Sequence, residues 1–166
     1  MTQNITPSIL IRPAKVEDVP LTLEFIKDLA EYERLSHEVV ATEALLKETL
    51  FGERQVAEII FAFYENQPAG MALFFHNYST FLGQPGIYLE DLFVKPEFRG
   101  QGIGKILLGR LAKIAVGRKC GRLEWSVLDW NKAAIGFYKS LGAVPMDEWT
   151  VFRLRGESLE KLAGEL

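Results

Sequence analysis

The stretch Arg99-Gly100-Gln101-Gly102-Ile103-Gly104-Lys105 sets three alternating glycines directly before an apolar stripe at Ile103, Ile106, Leu107, Leu111, Ile114 and Ala115. A period near 3.6 identifies that stripe as a helix, which ends around Gly117. Ahead of the glycines, Ile87-Tyr88-Leu89-Glu90-Asp91-Leu92-Phe93-Val94 has the apolar density of a central strand. Strand, glycine loop and helix in this order restrict the chain to folds in which a helix start opens beside the end of a central strand. Glycines let backbone N–H groups turn toward a ligand without Cβ interference, and a helix start carries roughly half a positive charge. A diphosphate is the natural guest, with Arg99 and Lys105 as flanking cations.

Spacing narrows which phosphate ligand this is. A P-loop requires Gly-x-x-x-x-Gly-Lys-Ser/Thr, whereas Ile106 follows Lys105 here and the glycines alternate. A dinucleotide fingerprint requires Gly-x-Gly-x-x-Gly tight against its strand, but Lys105 and Leu107 stand where a third glycine is needed, and Lys95 to Arg99 separate strand from loop. Glu124, about 20 residues beyond Gly104, keeps a nicotinamide dinucleotide open as a poorer fit.

The rest of the chain frames a mixed α/β domain with a largely antiparallel first half. Ile5 to Ile11 reads as a strand ended by Pro13, followed by a helix carrying Val19, Leu21, Phe25, Ile26, Leu29 and Tyr32. Thr42 is placed to cap a second helix through Leu50 that Gly52 stops. Val56–Tyr64 and Ala69–His76 flank Glu65-Asn66-Gln67-Pro68 as a hairpin, and Gly83 to Gly86 forms a second turn. Arg122–Leu128 reads as a strand, Asn131 as the cap of a helix through Leu141, Gly142 as its terminator, and Val144–Leu154 as extended chain.

Length and charge set further bounds. A chain of 166 residues with 48% apolar and 25% charged residues suits one domain over 1–166 with a sizeable core. The net charge of −3 and the lack of a long basic run argue against nucleic acid as a partner. Cys120 is the one cysteine, and His37 and His76 lie outside any zinc-ligand spacing, so a reducing compartment and no metal are expected. No window reaches the ~18 apolar residues of a membrane span, and no targeting pattern opens the chain, so a cytoplasmic location without membrane attachment is expected.

Arg99-Gly100-Gln101-Gly102-Ile103-Gly104 resembles the diphosphate loop of the GNAT superfamily of N-acetyltransferases. Within it, Tyr88–Val94, Trp130-Asn131 through Phe137-Tyr138-Lys139, Gly142-Ala143, Ile11–Ala14 and Leu29–Glu33 are similar to the spermidine/spermine, or diamine, N-acetyltransferases. The likeness runs from about Ile9 to Leu154. It implies a mostly antiparallel central sheet with splayed central strands, flanked by helices, and acetyl-CoA as co-substrate.

It also implies site roles. Leu92, Phe93 and Val94 would offer backbone groups to the pantetheine arm as an added strand would, and an N–H near Phe93 or Val94 would steady the developing oxyanion, a contribution of ~3–4 kcal/mol. Arg99, Gly100, Gln101, Gly102, Ile103, Gly104 and Lys105 would hold the diphosphate, with Asn131 meeting the cofactor from the next helix. Tyr138 would give a proton to the departing thiolate; without the resemblance it reads as part of a buried stripe with Ile135, Phe137 and Leu141. Tyr32 and Glu33 match residues of the polyamine pocket, and Asp147 or Glu148 with Trp149 would add contacts.

An alkylammonium with a pKa of ~10.4 must lose a proton before it attacks. Glu90 is the candidate base, because burial in an apolar strand and the neighbouring Asp91 carboxylate would raise its pKa; the bland alternative is an exposed strand face. The expected activity is acetyl transfer to a primary amine of a polyamine, diamine or basic amino-acid analogue, by a homodimer such as the resembled family commonly forms. A silent acyl-CoA sensor and a peptide N-acetyltransferase are the competing readings.

Overall fold

The computed structural model describes residues 8–165, which fall into two compact units, one through Ser126 and one from Val127. The first unit is built on a five-stranded sheet of order β1-β2-β3-β4-β5. Its strands are β1 Ile9–Pro13, β2 Glu58–Tyr64, β3 Gln67–Ser79, β4 Gln84–Val94 and β5 Leu123–Trp125. The first four pair antiparallel in sequence order and β5 joins β4 in parallel. Residues Ile5–Pro7 of the expected first strand lie outside the described residues.

The β2–β3 hairpin turns on Glu65 and Asn66, both at positive φ (47° and 67°). Two such residues match the right-handed twist of the flanking strands. Gln67 and Pro68, expected in the turn, therefore belong to β3, where Pro68 sits at a register shift opposite Phe63 and no ladder N–H is demanded of it. Similarly, β4 starts at Gln84 rather than Ile87, and Gly86 lies inside it opposite Asn77, where a Cβ would fall 2.3 Å from Asn77 Oδ1.

Helices cover both faces. Helices α1 (Val19–Tyr32) and α2 (Glu43–Phe51) bury Val19, Phe25, Leu46 and Leu50 against Ile59, Phe61, Met71 and Phe93. On the other face, α3 (Ile103–Gly117) buries Ile103, Leu107, Leu108, Leu111 and Ala115. Its first turn lies so close to β3 that a Cβ on Gly70 would sit 3.1 Å from both Ile103 Cγ2 and Leu107 Cδ1. Local chemistry ends and starts these helices: Thr42 Oγ1 accepts from Leu45 N–H at 3.3 Å to cap α2. At the end of α1, Arg34 at φ 63° reverses the chain while Leu35 N donates to Ala30 O. That 6→1 bond closes a Schellman motif without glycine. Arg12 and Asp18 tie β1 to the start of α1 through two hydrogen bonds of 2.6 and 2.9 Å.

The second unit carries α4 (Lys132–Ser140) and α5 (Glu157–Ala163). Asn131 Oδ1 accepts from Ala134 N–H at 3.2 Å, and Gly142 at φ 86° ends α4 with Ala143 N donating to Tyr138 O, as the sequence led one to expect. The expected extended run Val144–Leu154 forms no strand; Trp149 N instead closes a turn on Met146 O. A strand requires a ladder partner, and this unit contains no strand among the described residues.

Candidate functional site

The site begins where β4 and β5 part. Their register covers only Ile87↔Leu123, Tyr88↔Glu124 and Leu89↔Trp125, while β4 continues to Val94. Lys95 N donates to Ala69 O, which makes the Lys95–Ala69, Phe93–Met71 and Asp91–Leu73 pairs the hydrogen-bonded ones of the β3–β4 ladder. Leu92 and Val94 therefore direct their N–H and C=O groups away from β3, into the opening beyond β5. This is the divergence that the resemblance implied.

A short 3-10 turn, Pro96–Phe98, leads from β4 to the glycine loop and is held to β2 by the Tyr64–Phe98 ring contact at 5.7 Å. Gly100 (φ 79°) and Gly102 (φ 77°) both take the left-handed conformation, and Gly102 is the N-cap of α3, with no side chain capping it. Nothing lies within 4 Å of where a Cβ on either would be. Conformation, not crowding, demands glycine here. The first N–H groups of α3, from Ile103, Gly104 and Lys105, precede the helix's own ladder, whose first bond is Ile106 N to Gly102 O. Ile103 is buried, so its side chain serves the core and only its backbone faces the loop. Gln101 and Lys105 are exposed.

Carboxylates gather on the α1 face of the same strand, and a β-bulge decides which one is buried. The register shifts between Leu73 and Phe74, which oppose Asp91 and Leu89, so Glu90 is the extra residue. Leu89 then faces α3, while Asp91 and Phe93 face α1. The expectation that burial would tune Glu90 is thereby corrected: Glu90 takes the solvent-facing bulge position and is exposed, and Asp91 is the half-buried carboxyl. Its pKa is raised to about 6, first by burial, then by the negative charges of Glu90 and Glu33. Burial also raises the Glu33 carboxyl above its ordinary range. Paired acids in an apolar strand are visible in sequence; the bulge that chooses between them is not.

Tyr32 closes α1 immediately before Glu33, with its ring centroid 6.2 Å from that of Phe93. The Arg99 guanidinium carbon lies 4.7 Å from the Tyr32 ring centroid and 5.5 Å from that of Phe93, while Arg99 Nε donates to Val94 O at 3.0 Å. The structure thus brings Tyr32, Glu33, Glu90, Leu92, Phe93, Val94 and the glycine loop into one neighbourhood of the first unit. The remaining sequence candidates belong to the second unit. There Asn131 caps α4, Tyr138 is half-buried on α4 with its ring 5.5 Å from Phe137, and Glu148 is exposed beyond Met146. Among the described residues no group of three or more His, Cys, Asp or Glu side chains is placed to hold a metal, and no helix is long and apolar enough to cross a membrane.

Positive-φ glycines at the start of a helix, beside a strand edge with free amides, fit a ligand that joins a diphosphate to an amide-bearing arm. Comparison with known proteins agrees. Residues 24–143 match the model of the acetyltransferase (GNAT) family. A thialysine N-epsilon-acetyltransferase from Bos taurus is 44% identical over 95% of this chain and 98% of its own length. An L-ornithine N5-acetyltransferase from Arabidopsis thaliana is 34% identical over 92% of this chain and 86% of its own. Among solved structures, an integron cassette protein from the mobile metagenome of V. cholerae superposes with a TM-score of 0.79 at 31% identity, covering 94% of this chain and 98% of its own. By loop, by strand divergence and by these likenesses, the chain belongs to the acetyltransferase (GNAT) family and is an N-acetyltransferase.

Proposed function

We propose that this enzyme acetylates a primary amine of a small cation, a diamine, polyamine or basic amino-acid analogue, with acetyl-CoA as donor. The observation that carries the reading is the pairing of two sites on β4: outward amides at Leu92 and Val94 beside the glycine loop, and acidic groups with aromatic rings on the α1 face. The substrates for which those relatives are named, thialysine and ornithine, are small amines of this kind.

Gly100–Lys105 would hold the diphosphate through backbone N–H groups, with the Arg99 backbone at its margin. The backbone of Leu92, Phe93 and Val94 would take the pantetheine arm, and the outward N–H groups would face the acyl oxygen. When bound there, acetyl-CoA supplies a thioester-activated acyl carbon. Tyr32 and Glu33 would receive the cationic acceptor. Of the carboxyl pair, Asp91 carries the pKa suited to removing an ammonium proton near neutrality, and exposed Glu90 would pass that proton to solvent. Tyr138 Oη would hold the proton destined for the leaving sulfur. We further propose that the chain acts as one acetyltransferase domain, in a cytoplasmic homodimer; light scattering of the purified chain at twice the protomer mass is the expected result.

The test is calorimetry with acetyl-CoA, then a panel of diamines, polyamines, lysine and ornithine analogues and a histone-like peptide, read by thiol release. Binding with turnover of the small amines supports the reading. Binding without turnover of any amine would indicate a sensor, and preference for the peptide a protein acetyltransferase.

A further inference from the structure

We propose that the Arg99 side chain serves the acceptor rather than the diphosphate: it is a positioning residue that holds Tyr32, and with it the aromatic wall of the amine site, against the edge of β4. The inference rests on the reading of Tyr32 and Glu33 as acceptor-lining residues.

Arg99 opens the glycine loop, and an anion-binding role is the first expectation for a cation at that place. Its side chain instead runs back along the strand it follows. Nε is committed to Val94 O at 3.0 Å, which fixes the direction of the planar head, and the head lies over two rings, 4.7 Å from the Tyr32 centroid and 5.5 Å from that of Phe93. A guanidinium can do all of this at once because it is flat, delocalised and weakly hydrated; an ammonium cannot. Phosphate recognition is left to the loop backbone, with its two left-handed glycines.

The position of Tyr32 makes such a hold useful. It is the last residue of α1, and the chain reverses two residues later at Arg34 (φ 63°), so its ring stands where the helix ends, over Phe93 of β4. Phe93 supports the ring from the side at 6.2 Å and an interplanar angle of 56°, and Arg99 covers it. The same guanidinium reaches both the strand edge proposed for the pantetheine arm and the ring proposed for the amine, so it fixes the distance between donor and acceptor. Asp91 stands beside the negative charges of Glu90 and Glu33, so a cationic acceptor meets an acidic site.

The experiment uses the full-length enzyme with Arg99→Lys, Tyr32→Leu and the double variant. Acetyl-CoA affinity is measured by calorimetry, and the acceptor KM and kcat by thiol release on the best amine of the panel. Arg99→Lys is expected to raise the amine KM about 3- to 30-fold, the range of a partly desolvated cation–π contact, with acetyl-CoA affinity within about 3-fold of wild type. In the Tyr32→Leu background the same substitution is expected to have little further effect on KM, because the ring it positions is gone. Loss of acetyl-CoA affinity by tenfold or more with an unchanged amine KM would assign Arg99 to the diphosphate and overturn the proposal. So would independent, additive effects of the two single variants. A wild-type enzyme that binds acetyl-CoA but acetylates no amine overturns the functional reading itself, an outcome visible before any variant is made.

Discussion

Asp91 is the residue at which chemistry and stability meet. Its ordinary pKa of 3.8 is raised to about 6 in the folded chain, so between those values the native state holds a proton that the unfolded state has released. Stability from this group therefore falls as pH rises from about 4 to 6 and stays lower above that. A rise of that size corresponds to about 3 kcal/mol at most. Asp91→Asn is expected to gain up to about that much relative to wild type when urea unfolding at pH 7 is compared with pH 4; no difference between the two pH values would refute the sign. The same variant should lose the acidic limb of the pH–rate profile near pH 6 together with most of its kcat. Tyr138→Phe is expected to slow acetyl transfer by ~10²-fold or more while acetyl-CoA affinity, read by calorimetry, changes little. Equal loss of both would remove the proton-donor role.

Among the elements, the β3–β4–α3 unit explains how the loop is held. Gly70 on β3 admits α3 so closely that any side chain would meet Ile103 and Leu107, the two residues that seat the helix start on the sheet. Gly70→Val is expected to displace that start and weaken acetyl-CoA binding by at least tenfold, with a stability loss of about 1–3 kcal/mol from overpacking, although residue 70 touches no ligand. Unchanged affinity in calorimetry would show that the loop is positioned without Gly70. Strand, glycine loop and helix were legible because each rests on local rules: apolar density, left-handed conformation at Gly100 and Gly102, and the 3.6 period after Ile103. The hairpin boundary was displaced because Glu65 and Asn66, not glycines, adopt the positive φ values. The bulge at Glu90 arises from register against Leu73 and Phe74, a nonlocal pairing that no spacing within β4 records. Val144–Leu154 has the composition of a strand, yet strand formation depends on a partner that composition does not name.

For the molecule as a whole, a ligand that binds only the folded chain adds to its stability by mass action. At a free acetyl-CoA concentration a hundredfold above Kd the gain is about 2.7 kcal/mol, which for a chain of this length corresponds to a rise in Tm of roughly 5–10 °C. Differential scanning calorimetry with acetyl-CoA, and with pantetheine as the arm lacking a diphosphate, separates the two halves of the cofactor site. The shift should shrink sharply when the diphosphate is absent, since the glycine loop then has nothing to grip. An equal shift with both would place the affinity in the strand edge alone.

The early end of β5 leaves a signature in time as well as in space. Leu92 and Val94 direct their amides away from β3 in a strand whose neighbouring positions, Asp91 and Phe93, are locked in the ladder. In deuterated buffer the strand should therefore label in alternation, residues 92 and 94 rapidly and 91 and 93 slowly. Addition of acetyl-CoA should slow the fast pair and leave the slow pair unchanged, a two-residue footprint of a cofactor that completes the sheet in place of the missing strand.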